Sequence, residues 1–434
     1  MAVAVGVAFT RKAMTTTTRR ALGPGFRRLW GASALSNLAD GVFIVALPLL
    51  AAELTRSPAL IAGVALAQRL PWLLFALVAG ALADRLDRRR TMVNVQLLRV
   101  LVIGGLAAAV ALGAASIPMV YAAALALGLG ETLFDTAAQS AITAVVAKDD
   151  LSRANGRLYA AEMTANQFVG PSLGGALAGL AAFGLALAFG VTALLFAGAA
   201  VLLAAMRGAF KPARPEGPAR LHAEIAEGLR YLARHRVLRT LALMTGVQNL
   251  ANTAYFSILV LFAVGPGSAM RLPDAGYGLL LTTLGIGGVL GSLAAARLER
   301  RLGRSNVLML AVAVGALAAG TPAFTASVPV VAAGFVLGSV GVVIWNVVAV
   351  SLRQRITPDR LLGRVNAGYR LLAWGSMPLG AALGGAVAEL WGLRWVFALS
   401  GVLICSMLAL RPLVSDRELD AAEAAAERSA AAGR

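Results

Sequence analysis

Residues 58–114 read PALIAGVALAQRLPWLLFALVAGALADRLDRRRTMVNVQLLRVLVIGGLAAAVALGA. Two apolar runs, 58–82 and 91–114, flank a short loop that carries Arg85, Arg88, Arg89 and Arg90. Each run is long enough to cross roughly 30 Å of hydrocarbon as a helix. A soluble core has no place for two such runs joined so tightly, so the stretch reads as a membrane hairpin with a basic turn.

The same pattern fills the chain. Further spans are expected near 29–53, 117–146, 154–181, 183–206, 238–263, 275–296, 305–323, 328–351, 362–388 and 395–413. With 59% hydrophobic and 14% charged residues, and a mean hydropathy of +0.77, the 434 residues hold too little polar matter to cover a surface in water. The net charge of +18 by itself invites a nucleic-acid partner, but the positions of the basic residues argue otherwise. Of the 39 Lys and Arg, 33 fall in the tails and loops of one side. Only Arg56, Arg271 and Arg394 fall on the other, and Arg69, Arg99 and Arg370 lie within spans. Short loops with that bias face the cytoplasm, so both termini are expected there, with an even number of spans between them. The partner this charge serves is the lipid bilayer, and no nucleic acid is expected.

The fold class expected is therefore an all-α polytopic membrane protein of 12 transmembrane helices. An internal repeat divides them. Leu151-Ser-Arg153-Ala-Asn155 followed by Leu173-Gly174-Gly175-Ala176 recurs as Leu362-Gly-Arg364-Val-Asn366 followed by Leu383-Gly384-Gly385-Ala386. A fainter echo relates the loop after the second span to the one near Arg297 and Arg300. Two parallel six-helix bundles follow, at 26–206 and 238–413. They are joined by a basic cytoplasmic linker, 207–237, with an amphipathic helix near 219–236. Residues 1–25, with a Thr run and Gly23-Pro24-Gly25, read as a disordered cytoplasmic tail, and 414–434 as a second cytoplasmic tail.

Gly80-x-x-x-Asp84-Arg85-x-x-Arg88-Arg89, placed after the second span, resembles the signature loop of the major facilitator superfamily. That resemblance implies the two-bundle fold, and a gating role for Gly80, Asp84, Arg85 and Arg88 in which Asp84 ties the halves together on the cytoplasmic side. Physically, Asp84 stands at a helix C-terminus, where the macrodipole disfavours a carboxylate, so it should seek Arg88 or another helix's N-terminus. The neighbouring Arg89 and Arg90 read as a topology signal that needs no partner. In the fifth span, Gly170-Pro171-Ser-Leu-Gly174-Gly175 resembles the motif that marks antiporters in this superfamily, with Asn166 where an upstream glycine is usual. Pro171 removes a backbone donor, and the glycines allow a close helix neighbour.

Ionisable side chains are costly in lipid and mark functional positions. Here they are Asp40, Arg69, Arg99, Glu131, Asp135, Glu162 and Arg370. Glu131, Asp135 and Gln139 form one stripe on the fourth span; Ser33, Asn37 and Asp40 form one on the first. Four carboxylates cannot all be ionised cheaply at this depth, so such a group can load and release a proton. Asp40 and Glu131 are the leading proton-coupling candidates, followed by Glu162 and Asp135. The competing reading is that Arg69 or Arg99 neutralises them in buried pairs. In the resembled fold, spans one, four, seven and ten line the central cavity. Asn37, Gln139, Gln248, Asn252, Trp345 and Asn346 are then candidate substrate contacts, with Asn249 a further polar residue of the seventh span. Arg370 and Trp374 could hold an anionic or aromatic substrate, or Arg370 could serve a structural pair.

The run from Phe26-Arg27-Arg28-Leu29-Trp30 through Asp40, Ala46-Leu47-Pro48, and Gly130-Glu131-x-Leu-Phe134-Asp135 is similar to the branch holding macrolide and enterobactin exporters, over residues 26 to 413. The fourth span lacks the intramembrane arginine of many drug:proton antiporters. No phosphate-binding loop, nucleophile elbow or zinc-binding helix is present, so no enzyme activity, cofactor or metal is expected. His222 and His235 lie in the basic linker without further ligands, and Cys405 reads as a packed hydrophobe. The expected activity is proton-coupled export of small amphipathic compounds (drugs, antibiotics or siderophores) by alternating access in a bacterial inner membrane, as a monomer. The alternatives are an uptake symporter for a small metabolite, or a receptor or scaffold that keeps the fold without transporting.

Overall fold

The computed structural model describes residues 22–83, 86–147, 150–180, 183–208, 210 and 221–432. The first bundle holds α1 (Pro24–Leu54), α2 (Pro58–Ala83), α3 (Arg88–Ala111), α4 (Ile117–Val145), α5 (Leu151–Glu162), a π-helical turn (Met163–Val169), α6 (Gly170–Ala178) and α7 (Gly184–Ala204). A surface helix, α8 (Leu221–Arg234), leads into α9 (Arg236–Ala263), α10 (Asp274–Leu302), α11 (Arg304–Phe324), α12 (Val328–Ile356), α13 (Asp359–Trp391) and α14 (Leu393–Ser406). A 3-10 turn (Met407–Val414) and α15 (Asp416–Ala432) complete the chain.

Eleven of these helices are long and apolar enough to cross a membrane among the described residues. The twelfth span, the fifth in order, is carried by α5, the π turn and α6 together. Pro171, within the first two residues of α6, offers no N–H to the carbonyl one turn back, and the backbone before it widens into the π turn instead. Large apolar side chains face outward where lipid would lie, Leu101, Leu194, Leu293 and Phe324 among them.

The repeat seen in the sequence is a repeat of packing. In the first bundle α1 packs on α6 and α7, α2 on α4, and α3 on α4 and α7. In the second, α9 packs on α13 and α14, α10 on α12, and α11 on α12 and α14. The bundles meet along two seams, α2 against α13 and α6 against α10.

The duplicated glycines set both kinds of contact. A Cβ on Gly170 would stand 2.5 Å from the Gly41 Cα, and one on Gly174 2.8 Å from the Val42 carbonyl oxygen, so these two glycines seat α6 on α1. Gly380 and Gly384 do the same for α13 on α9, with Cβ positions 2.2 Å and 2.3 Å from the carbonyl oxygens of Leu250 and Ala254. The next residue in each copy faces the other bundle. A Cβ on Gly175 would meet the Gly278 Cα at 2.8 Å, and one on Gly385 the Ala62 Cβ at 2.7 Å. Backbone-close crossings of this kind hold helices together where lipid removes the hydrophobic drive to associate.

Both seams are tightest on the face opposite the termini. There, Glu389 of α13 accepts from the Ser57 hydroxyl at 3.1 Å and from the Ala59 N–H at 3.3 Å, capping the start of α2 with a negative charge. Nearer the middle of the span, the π turn also packs on α10.

The segment expected as a cytoplasmic tail from residue 414 is helical over α15 and docked. Asp416 accepts from the Ser305 N–H at 3.0 Å at the start of α11, and Arg304 pairs with Asp420 and Glu423. In α8, Glu227 pairs with Arg364 of α13. His235 caps α9 by accepting from the Leu238 N–H through Nδ1, and burial pushes its imidazole below the usual range, which favours the neutral acceptor form. Arg89 does have partners, contrary to the expectation from sequence. Its guanidinium donates to the carbonyls of Leu203 and Ala204, which the end of α7 leaves without helical partners.

Gly175→Leu should wedge the seam open on the face opposite the termini without unfolding either bundle. In a Cys405→Ser background, a cysteine at Leu281 is expected to react markedly faster with a membrane-impermeant maleimide added to that face when Gly175→Leu is present. Equal labelling with and without the substitution would contradict the seam.

Candidate functional site

Between the bundles lies a cavity of about 450 Å³. Its walls come from α1, α2, the π turn and α6 on one side, and from α9 to α13 on the other. Among the described residues, five aromatic side chains line it: Phe43, Tyr255, Phe256, Tyr277 and Phe335. So do the amides Gln68, Asn166, Gln167, Gln248 and Asn252, and the guanidinium of Arg69. An apolar body with a few convergent polar groups is the usual make-up of a small-molecule pocket. The π turn has a direct effect here, because it brings Asn166 and Gln167 to the cavity wall. Asn166 occupies the place where the resembled antiporter motif has glycine, so the departure from that motif adds an amide to the cavity.

The sequence-derived contacts divide between this cavity and its surroundings. Gln248 and Asn252 line it, and Gln248 donates to the Asn252 side-chain oxygen at 3.3 Å. Trp345 and Asn346 do not reach it. They border an adjoining space of about 30 Å³ with Thr245 and Asn249, room for about one water, and the Trp345 indole donates to the Thr245 hydroxyl at 3.0 Å. Asn37 donates to the Ser33 carbonyl at 2.9 Å, within its own helix. Gln139 is exposed on α4. Arg370 is exposed and stacks on Trp374 at 4.8 Å, and Trp374 meets Trp72 of α2 edge-to-face at 5.0 Å, an aromatic contact across the seam.

The fourth span contributes nothing to the cavity among the described residues, contrary to the lining expected from the resemblance. Its acidic stripe belongs to a second site inside the first bundle, organised by Arg99 of α3. Arg99 is 1% exposed and lies 3.6 Å from the Asp40 carboxylate, which is 20% exposed. It donates to the Ser36 hydroxyl at 3.2 Å and reaches the Leu127 carbonyl at 3.5 Å. Phe196 and Phe134 offer their rings at 5.0 Å and 5.9 Å. A Cβ at Gly130 would stand 2.8 Å from the Arg99 Nε, so that glycine makes the room for the guanidinium. Glu131 and Asp135 lie within electrostatic reach of this pair and of each other, and Glu162 lies within reach of Glu131 and Asp135. Glu131 and Asp135 are half-buried on α4, and Glu162 is exposed at the end of α5. Of the two arginines offered as neutralisers, Arg99 pairs with Asp40, whereas Arg69 stands in the cavity wall.

Of the remaining motif residues, Gly170, Pro171, Gly174 and Gly175 are the helix crossings described above, with Pro171 also at the cavity wall. Gly80 lies in the last turn of α2, while Asp84 and Arg85 fall outside the described residues. Arg88 opens α3, its N–H donating to the Phe210 carbonyl at 3.2 Å.

Two parallel six-helix bundles around a central cavity make the chain a multi-pass membrane transporter of the major facilitator type. It belongs to the transmembrane secretion effector family, whose model matches residues 22–432. It is 32% identical to the multidrug efflux pump Tap of Mycobacterium tuberculosis over 417 residues, covering 92% of this chain and 96% of the pump. It is 31% identical to the multidrug efflux pump Tap of Mycolicibacterium fortuitum, covering 94% and 99%. Among solved structures, nucleoside transporter NupG superposes with a TM-score of 0.73 at 12% identity, covering 90% of this chain and 99% of that one. A bacterial homologue of the iron transporter ferroportin in an inward-facing state gives 0.72 at 18%, covering 90% and 99%. The relatives are transporters rather than enzymes, and the structural likenesses concern the fold alone.

Removing the guanidinium should leave Asp40 unpaired among apolar walls. Arg99→Met is expected to cost about 3–5 kcal/mol of stability, with much of it recovered in Arg99→Met/Asp40→Asn. Denaturant unfolding in detergent micelles measures both, and equal stability of Arg99→Met and the unsubstituted protein would show that the pair holds nothing.

Proposed function

We propose that the protein exports small amphipathic compounds, drugs or antibiotics foremost and siderophores as a further class, across the bacterial inner membrane in exchange for protons. Both termini face the cytoplasm in this reading. The observation that carries it is the pairing of two separate sites in one bundle system. One is a drug-sized cavity of aromatic and amide side chains between the halves; the other is a carboxylate cluster around Arg99. The likeness to relatives named as multidrug efflux pumps supports export as the direction and drugs as the cargo class.

The two sites share α1. Asp40 lies one turn from Phe43, which lines the cavity, and Gly41 and Val42 are the residues on which Gly170 and Gly174 sit. A proton arriving at Asp40 weakens its hold on Arg99, and the shift of α1 that follows is felt at the cavity wall and at the α6 crossing. Rocking of the halves about the cavity then exchanges access from one face to the other. Asp40 and Glu131 carry the proton in this scheme, with Asp135 and Glu162 passing it towards the terminal side. Gln248, Asn252 and the amides of the π turn hold the cargo, and Gly80, Asp84, Arg85 and Arg88 form the gate on the cytoplasmic face.

Inverted vesicles carrying the protein should accumulate compounds from an amphipathic panel when a pH gradient is imposed, and stop when it is collapsed. Asp40→Asn and Glu131→Gln are each expected to lower the gradient-driven rate about tenfold or more, about 1.4 kcal/mol on the limiting step. Gradient-driven movement in the reverse direction would make the protein an uptake symporter, and absence of any flux would favour a receptor or scaffold.

A further inference from the structure

The cavity and the carboxylate cluster differ in charge. Every carboxylate of the first bundle's buried cluster lies off the cavity wall, and no Asp or Glu is among the described residues that line it. Among the described residues the one charged side chain in the wall is Arg69. It lies on α2, three residues before the Trp72 that meets Trp374 across the seam. Unlike Arg99, it has no ion pair or hydrogen bond among the described residues. A half-buried guanidinium with no protein partner, facing a low-dielectric space, leaves its pairing to whatever enters.

We infer that the cavity selects by charge, taking amphipathic compounds that carry an anionic or strongly accepting group (carboxylate, phenolate or phosphoryl) and disfavouring lipophilic cations. The anionic group pairs with Arg69 as a charge-assisted hydrogen bond, and the apolar body lies against Phe43, Tyr255, Phe256 and Phe335. The amides of Gln68 and Gln167 accept or donate to flanking polar groups without adding charge. A cation entering the same space would meet Arg69 with no carboxylate to offset the repulsion, which the low dielectric strengthens. Arg69 is thus a specificity-determining residue. The inference rests on the export reading for where the cargo sits, and adds which cargo it is.

Binding tests this apart from flux. Purified full-length protein in nanodiscs is titrated with 1-naphthylacetate, 1-naphthylacetamide and 1-naphthylmethylammonium, three compounds of like shape and different charge, followed by calorimetry. The anion is expected to bind about tenfold more tightly than the ammonium, with the neutral amide between them. Arg69→Gln should abolish that order by weakening the anion alone, and Arg69→Lys should restore much of it, with thermal melting confirming that both variants are folded. Tighter binding of the ammonium, an order unchanged in Arg69→Gln, or no binding of any member by a protein that exports other compounds would overturn the inference. Should the anion preference hold while no pH-driven export is found, the export reading fails and the charge selection stands.

Discussion

A guanidinium buried among helices in a membrane has to be neutralised where it stands, and most of what is distinctive in the first bundle follows from how Arg99 is. At 1% exposure it has no water to turn to. Its charge is met by Asp40 on α1, its donors by Ser36 and Leu127, its faces by Phe134 and Phe196, and its bulk by the absence of a side chain at Gly130. Four helices are therefore positioned about one side chain. Asp135 of α4 lies within its field and Glu131 within that of Asp40, so the acids of α4 face this pair rather than the cavity.

The second constraint is steric. At Gly170, Gly174, Gly380 and Gly384, and at Gly175 and Gly385 across the seams, a single methyl group would collide with a neighbouring helix. The two copies of one short motif thus fix both the inside of each bundle and the contact between bundles. Because the crossing of α6 on α1 lies next to Asp40, the helix that carries the paired carboxylate is also the helix on which the fifth span packs. The π turn sits at that junction and brings two amides to the cavity wall.

Much of the fold could be read from the chain, since span length, basic loops and the doubled Leu-Gly-Gly-Ala motif are local signals. The site was legible only in part. Four-residue spacing placed Glu131, Asp135 and Gln139 on one face of α4, but periodicity cannot say which neighbour that face meets. The face meets Arg99 rather than the cavity. Arg99 itself was visible only as a costly residue, because its pairing with Asp40 joins positions far apart in sequence. A sharper reading was available in Gly130, since a glycine inside an acidic helix stripe signals a close neighbour. The amides Asn166 and Gln167 were hidden for a different reason, as a π turn shifts the helical phase and turns towards the cavity residues that a regular 3.6-residue period would place elsewhere. Arg89 was read as topology alone, yet the unsatisfied carbonyls at the end of α7 give it partners.

In the proposed exchange, protons held by the carboxylates around Arg99 leave as cargo binds. The most direct measurement is proton release from purified protein in weakly buffered micelles, followed with a pH-sensitive dye as a transported compound is added. Release on binding, lost in Asp40→Asn, is the result predicted for exchange of cargo against protons. Proton uptake on binding, or release that persists undiminished in Asp40→Asn, would contradict it.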